Sequence, residues 1–342
     1  MRRGVKIGLA AIAVADVVLG ALLATVWTRG ADALAYVVVL TLPIAMIAVL
    51  VGLVYVMGGG EGVFRLAWTY NARNWNVVWS YKFRLVSVFA GAVVAISLMI
   101  VVGSSVVRYF IAPFELMREA HPDIFQINYL VYLGLGLIAF PLVWMAFTVP
   151  AERLRSEQVR GTFEILIPTR RGVSTLPFAY LLYRMVNGLL FAGIMLVLFA
   201  YIVPPGQVQV LDPVAVTFAM LALALSALGL WGLGLVFGGL VTIYKEIGPA
   251  TAVVQFVMMA FSGAYVPVEI LPTWAHPIAT VLPVTYTFRL LRGALVAEQT
   301  VFDLIPELFV VFAFGLVFVV GGMWLYRRCL DSARRHGTIY GY

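Results

Sequence analysis

The residues able to do chemistry are few and scattered. His121, His276 and His336 fall in three separate connections, a spacing that holds no metal ion. None of Lys6, Lys82 and Lys245 follows a glycine, so the chain has no phosphate-cradling loop ending in Gly-Lys-Ser or Gly-Lys-Thr. Cys329, the sole cysteine, excludes a disulfide within the chain, and no serine or cysteine stands in a nucleophile motif. Catalysis by this chain alone is not expected. Asp16 stands apart, near the middle of an apolar run, where an unpaired charge costs several kcal/mol. It is either an ion or proton site or a neutral, hydrogen-bonded group at a helix contact. Asn187 and Gln255 read as polar groups joining helices.

The elements that must position these groups are membrane helices. Only 11% of the residues are charged, against about 25% in an ordinary soluble domain. A helix crosses the hydrocarbon with about 20 apolar residues, and eight stretches qualify: 7–27, 33–57, 85–107, 128–149, 178–203, 213–241, 249–266 and 304–326. With the N-terminus inside, the outer side keeps only Arg29, Arg108, Arg118, Arg289 and Arg292 of the 23 Lys and Arg residues. That bias satisfies the positive-inside rule and puts both termini in the cytoplasm. The net charge of +7 is thereby explained by topology, without a nucleic-acid partner. The apolar run after Lys6 exceeds the length usual for a cleaved leader and is expected to be a retained helix.

Three connections carry information. In Gly58 to Leu85, Phe64, Trp68, Ala72, Trp75, Trp79 and Phe83 recur at helical spacing with Arg73, Ser80 and Arg84 opposite. This pattern suits an amphipathic helix lying flat on the inner membrane surface; the alternative is a cytoplasmic loop with some helix. In Pro150 to Pro177, Arg153, Glu157, Arg160 and Glu164 stack alternating charges beside Val159, Phe163 and Leu166. Pro150 suits the start of a short helix there and Pro168 its end. Spacing alone divides evenly between a helix docking into a partner and one solvated by its own ion pairs. On the outer side Pro267, Pro272, Pro277 and Pro283 break the chain between Phe261 and Leu295, with short helices expected at 275–280 and 285–295. Broken backbone at membrane depth must be covered by protein or line a wet cavity. The glycines Gly232, Gly234, Gly238 and Gly239 suit close helix packing in the sixth span. Phe140, Trp144 and Phe147 place aromatics along a span that could line a path for an amphipathic or hydrophobic cargo.

Glu157 to Leu166, EQVRGTFEIL, resembles the glutamate, glycine-threonine, glutamate, leucine pattern in membrane subunits of type-2 ATP-binding-cassette (ABC) exporters. Ser262-Gly263, Pro267, Pro272, Trp274 and Pro283-Val284-Thr285-Tyr286 resemble that family's outer segment, and the likeness covers about Gly58 to Leu330. It departs at Pro168-Thr169-Arg170, where the family usually has alanine-threonine-proline, and does not reach the first 57 residues. The resemblance implies an all-α integral membrane protein with a six-helix exporter core at 85–330. Ahead of the core would come two added helices at 1–57 and the interfacial helix at 58–84, and after it a cytoplasmic tail at 331–342. Within the core it implies a coupling helix at about 150–172, where Glu157, Arg160, Gly161, Thr162 and Glu164 contact a cytoplasmic ATPase subunit. The outer re-entrant segment would run over about 264–303, with Pro267, Pro272, Trp274, Pro283 and Tyr286 at the outer gate. ATP and magnesium would be held by the ATPase and no cofactor by this chain. Other implied partners are a second permease copy, identical or not, and the lipid of the plasma membrane. The function implied is the permease of an exporter for a drug, lipid, glycan or peptide-like substrate; the competing reading is a secondary transporter or channel using Asp16.

Overall fold

The computed structural model of the chain describes residues 33–58, 69, 72–73, 94, 129–161, 172–202, 212–244, 247–296 and 300–336. Every regular element among them is helical, as hydrocarbon requires of a chain that must satisfy its backbone polar groups internally. Five helices are long and apolar enough to cross a membrane: α1 (Ala33–Gly58), α2 (Tyr129–Val159), α3 (Gly172–Ile202), α4 (Pro213–Tyr244) and α8 (Ile305–His336). Between α4 and α8 lie α5 (Gly248–Phe261), a 3-10 turn (Val268–Ile270), α6 (His276–Val281) and α7 (Pro283–Leu295). The protein is an all-α integral membrane protein.

Helix α4 is the axis of the bundle. It starts cleanly, because Asp212 accepts the Val214 N–H at 3.0 Å and Pro213 occupies the first turn, where its missing N–H costs nothing. Most of its residues are buried, whereas α3 is largely half-buried or exposed. Glycines let its neighbours approach. A Cβ at Gly232 would lie 2.5 Å from the Phe318 carbonyl carbon of α8, one at Gly239 3.1 Å from the Tyr326 Cα, and one at Gly229 2.9 Å from the Gly315 Cα. On another side a Cβ at Gly234 would collide with the Phe147 carbonyl of α2, and one at Gly238 would lie 3.3 Å from the Pro150 Cβ. The close-packing role expected of Gly232, Gly234, Gly238 and Gly239 is therefore what the helices use them for, and Gly229 shares it. In both pairs the residue numbers rise together, so α2, α4 and α8 run parallel, while α3 returns antiparallel beside α2. Buried Leu40, Met46, Leu50 and Val54 of α1 join the same core, with Leu50 set against Gly315.

Three helix limits differ from the expected ones. The fourth span does not stop at residue 149: α2 runs on through Pro150 to Val159, so no separate helix begins at Pro150. Proline is tolerated in such helices where neighbours cover the freed carbonyl, and here Pro150 packs into the notch left by Gly238. The last helix likewise continues past 330 to His336, because nothing between Gly322 and Gly337 breaks it. The seventh span is a 14-residue helix, about 21 Å long and short of the roughly 30 Å hydrocarbon core. Among the expected features, the spans at 7–27 and 85–107 and the tail beyond His336 lie outside the described residues, except Val94. So do Asp16, Phe64, Trp68, Trp75, Trp79, Thr162 and Glu164; of the interfacial segment only Gly58, which ends α1, and Thr69, Ala72 and Arg73 are described, and they are helical.

Candidate functional site: the two ends of helix α2

The charged end of α2 is a continuation of its apolar span. Glu157 is buried and ion-paired with Arg153 one turn earlier. The Arg153 guanidinium lies 4.7 Å from the Tyr180 ring centroid on α3, and that of Arg184 6.0 Å from the same ring. The helix closes where Arg160 N–H donates to Ser156 O at 3.2 Å and Gly161 N–H to Gln158 O at 3.0 Å. Gly161 sits at φ 70, the left-handed conformation that ends helices and that a side chain resists. Arg160 and Gly161 are exposed. Of the expected coupling residues, the described ones thus divide into an inward, paired Glu157 and an outward Arg160-Gly161 corner.

At the other end of α2 sits a polar knot that the residue pattern did not announce. Arg292 of α7 is only 7% exposed. Its Nη1 donates to Gly263 O at 2.7 Å, and its Nη2 to Ala264 O at 2.8 Å and to Tyr132 O at 3.1 Å. The guanidinium stacks 3.4 Å from the Tyr132 ring centroid, and the Tyr132 hydroxyl donates to Gly263 O at 2.6 Å. Gly263, at φ 79, and Ala264 form the break that follows α5, so side chains supply the donors that a continuing helix would have supplied. Gly136 makes room: a Cβ there would collide with the Ala264 carbonyl and lie 3.0 Å from Arg292 Nη2. Desolvation lowers the Arg292 pKa to about 10, opposed by Tyr132 and Glu269, so the group stays cationic at neutral pH. Charge-assisted bonds of this kind contribute roughly 1.5–3 kcal/mol each.

The residues expected at the outer gate lie in the broken segment and at the start of α7. Pro267 is buried and leads into the 3-10 turn; Pro283 opens α7. Thr285 Oγ1 donates to Ala279 O at 2.7 Å and Tyr286 Oη to Thr280 O at 3.0 Å, tying α7 back to α6. Exposed Trp274 meets the Phe261 ring edge-on at 5.8 Å, and Pro272 is exposed beside it. Glu269 and Arg289 approach to 3.7 Å but are both over two-fifths exposed, which makes their pair a weak one.

Other expectations are corrected. Asn187 donates to Tyr183 O of its own helix at 2.6 Å, as the short reach to the i−4 carbonyl favours, so that among the described residues its bond stays within α3. Gln255 is buried beside Met258 on the inner face of α5. Phe147 is 1% exposed and packed edge-on against Phe237 at 5.0 Å, which makes it core and removes it from any cargo path; Trp144 remains 38% exposed. Among the described residues no group of His, Cys, Asp and Glu could hold a metal. Arg292 was missed because it was counted only as an outer charge. Its place on α7 was the available signal, since it follows Thr285 and Phe288 on the apolar face at helical spacing.

A comparison with curated proteins finds no match. The family described as ABC-2 type transporter matches residues 65–296, which takes in α2 through α7 with both ends of α2 and the broken segment, and leaves α1 and α8 outside. That match covers more than half of the chain, and the chain belongs to the ABC-2 type transporter family: it is a transmembrane transport component of an ABC system, a class not catalytic alone.

Proposed function

We propose that this chain is the permease subunit of an exporter that moves its substrate outward on ATP hydrolysed by a separate cytoplasmic subunit. Family membership already implies partnership with an ABC ATPase. The observation that carries the finer reading is the unbroken passage of α2 from apolar span to the exposed Arg160-Gly161 corner. A force applied at that corner acts directly on a helix packed along α4, with no flexible joint between. In this reading both termini face the cytoplasm of the plasma membrane, and ATP and magnesium reside on the partner. A second permease copy completes the path, and the cargo is a drug, lipid, glycan or peptide-like molecule. Thr162 and Glu164 extend the contact beyond Gly161, and the aromatic segment 64–79 seats the protein on lipid headgroups.

The test is to purify the chain with the ATPase encoded beside it and to compare ATP turnover in the wild type, Arg160→Glu and Glu164→Arg. Stable association, with turnover reduced at least several-fold by either charge reversal, is expected. A chain that recruits no ATPase, or whose transport persists without ATP, refutes the reading.

A further inference from the structure

We propose that Tyr132 and Arg292 are positioning residues of the transport cycle, a latch through which α2 carries the broken segment with it when its charged end is displaced. This rests on the reading that the Arg160-Gly161 corner meets the ATPase. Four observations place the latch there. The segment after α5 is not helical, and two of its consecutive carbonyls, Gly263 and Ala264, accept from Arg292. The Gly263 carbonyl also accepts from the Tyr132 hydroxyl, so both ends of the latch converge on one oxygen. Arg292 reaches a third carbonyl on α2 itself, that of Tyr132. Finally, Gly136 leaves α2 without a side chain where the Ala264 carbonyl comes against it.

The geometry makes these bonds specific to one relative position of α2 and the break. Backbone carbonyls held by a rigid guanidinium fork lose alignment on small displacements, because hydrogen bonds weaken steeply once bent. An α2 that moves along its axis therefore either drags Gly263-Ala264 and α7 with it or breaks several charge-assisted bonds in a buried site. Dragging is the cheaper course, since breaking them leaves a desolvated cation without acceptors. The motion is measured against α8, which carries none of the bonds of the latch.

The experiment uses the purified permease–ATPase complex in lipid nanodiscs, on a Cys329→Ser background. Spin labels are placed at Trp274→Cys, exposed beside the break, and at Val317→Cys, exposed on α8. Pulsed electron-spin distances are compared without nucleotide and with vanadate-trapped ATP. In the otherwise wild-type chain the distance shifts on trapping; the shift shrinks in Tyr132→Phe and is lost in Arg292→Lys, while ATPase binding and turnover persist. Both substitutions keep the bulk or charge of the original, and hydrogen exchange at amides 262–270 provides a second reading on the permease alone, where both variants exchange at least several-fold faster. A shift that survives in both variants, or unchanged exchange, overturns the latch while leaving the proposed function standing. Failure of the wild-type chain to bind the ATPase overturns the proposed function first, and the latch's part in the cycle with it.

Discussion

The two ends of α2 solve the same problem, holding an arginine near a membrane boundary, in opposite ways. At the charged end Arg153 pairs with Glu157 on its own helix, one turn away, and stacks on Tyr180. At the far end Arg292 reaches three backbone carbonyls from two other segments and stacks on Tyr132. The first arrangement is local: it follows from i,i+4 spacing and needs only that a helix form. The second is tertiary, because no pair of its partners is close in sequence to Arg292. The difference teaches where an exposed partner can act without damage. The Arg160-Gly161 corner, where the proposed function places the ATPase, is exposed and among the described residues carries no tertiary hydrogen bond that holds α2, whereas the Arg292 knot joins three elements.

Breaking the knot has the largest expected effect. Arg292→Met keeps the apolar stem and removes every donor, leaving the Ala264 and Tyr132 carbonyls without their Arg292 bonds in a buried site. The cost is about 3 kcal/mol or more, since charge-assisted bonds contribute roughly 1.5–3 kcal/mol each and buried orphans are penalised in full. Thermal unfolding in detergent, monitored at the tryptophans, measures it. Arg153→Met combined with Glu157→Gln, the matching change at the other end, is expected to cost less than half as much, because the pair is removed together and no buried charge loses its counter-ion. Equal losses would erase the distinction drawn between the two ends.

Gly136→Ala comes next. The added methyl collides with the Ala264 carbonyl, which is main chain and cannot rotate away, so the break must move off α2. Overpacking of this kind costs about 1–3 kcal/mol. The same substitution at Gly193, where a Cβ meets nothing within 4 Å, serves as the control and is expected to be neutral or slightly stabilising. Loss of stability at both positions alike would mean that the clash at Gly136 is relieved elsewhere.

These two sites also show what a sequence can disclose. The five long helices among the described residues fall on five of the eight expected stretches, because apolar length marks them, and the breaking of the chain after Phe261 follows from four prolines. Gly232, Gly234, Gly238 and Gly239 signal close packing because no other residue type gives so little to a membrane helix unless a neighbour fills the space. Pro150 misled, because proline ends helices in water but is carried by a membrane helix whose neighbour covers the gap. The burial of Arg292 had a signal in its place on the apolar face of α7, but what it binds had none: its partners are carbonyl oxygens, which every residue has and which leave no mark in a sequence. Tyr132 was hidden in the same way, since its hydroxyl also finds a carbonyl. The charged corner was legible in its residues but not in its shape, because its ion pair is local and the continuity of α2 is not.

At the charged corner, Gly161→Ala tests whether the left-handed turn matters by itself. A side chain at φ 70 costs roughly 1–2 kcal/mol, felt only in the last turn of α2. Gly161→Asn is expected to recover most of that, since asparagine tolerates the conformation. Hydrogen exchange at the amides of 156–161 resolves the local fraying that a global melting curve averages out. An alanine variant that exchanges no faster than wild type would mean that the turn relaxes freely.

The smallest expected effect separates the ring of Tyr132 from its hydroxyl. Tyr132→Phe leaves the stack on Arg292 in place and removes one hydrogen bond. The Gly263 carbonyl is not orphaned, because Arg292 Nη1 still donates to it. The net cost is therefore that of one ordinary bond, about 1 kcal/mol. Tyr132→Leu forfeits the cation–π contact as well, worth roughly another 0.5–2 kcal/mol where the site is dry. Because hydroxyl and guanidinium share one acceptor, Tyr132→Phe combined with Arg292→Lys must depart from additivity, which holds only for sites without common partners. A double-mutant cycle on the unfolding free energies reads that coupling directly, and a value within about 0.3 kcal/mol of zero would mean that Tyr132 and Arg292 hold the break independently and that the latch is two unrelated contacts.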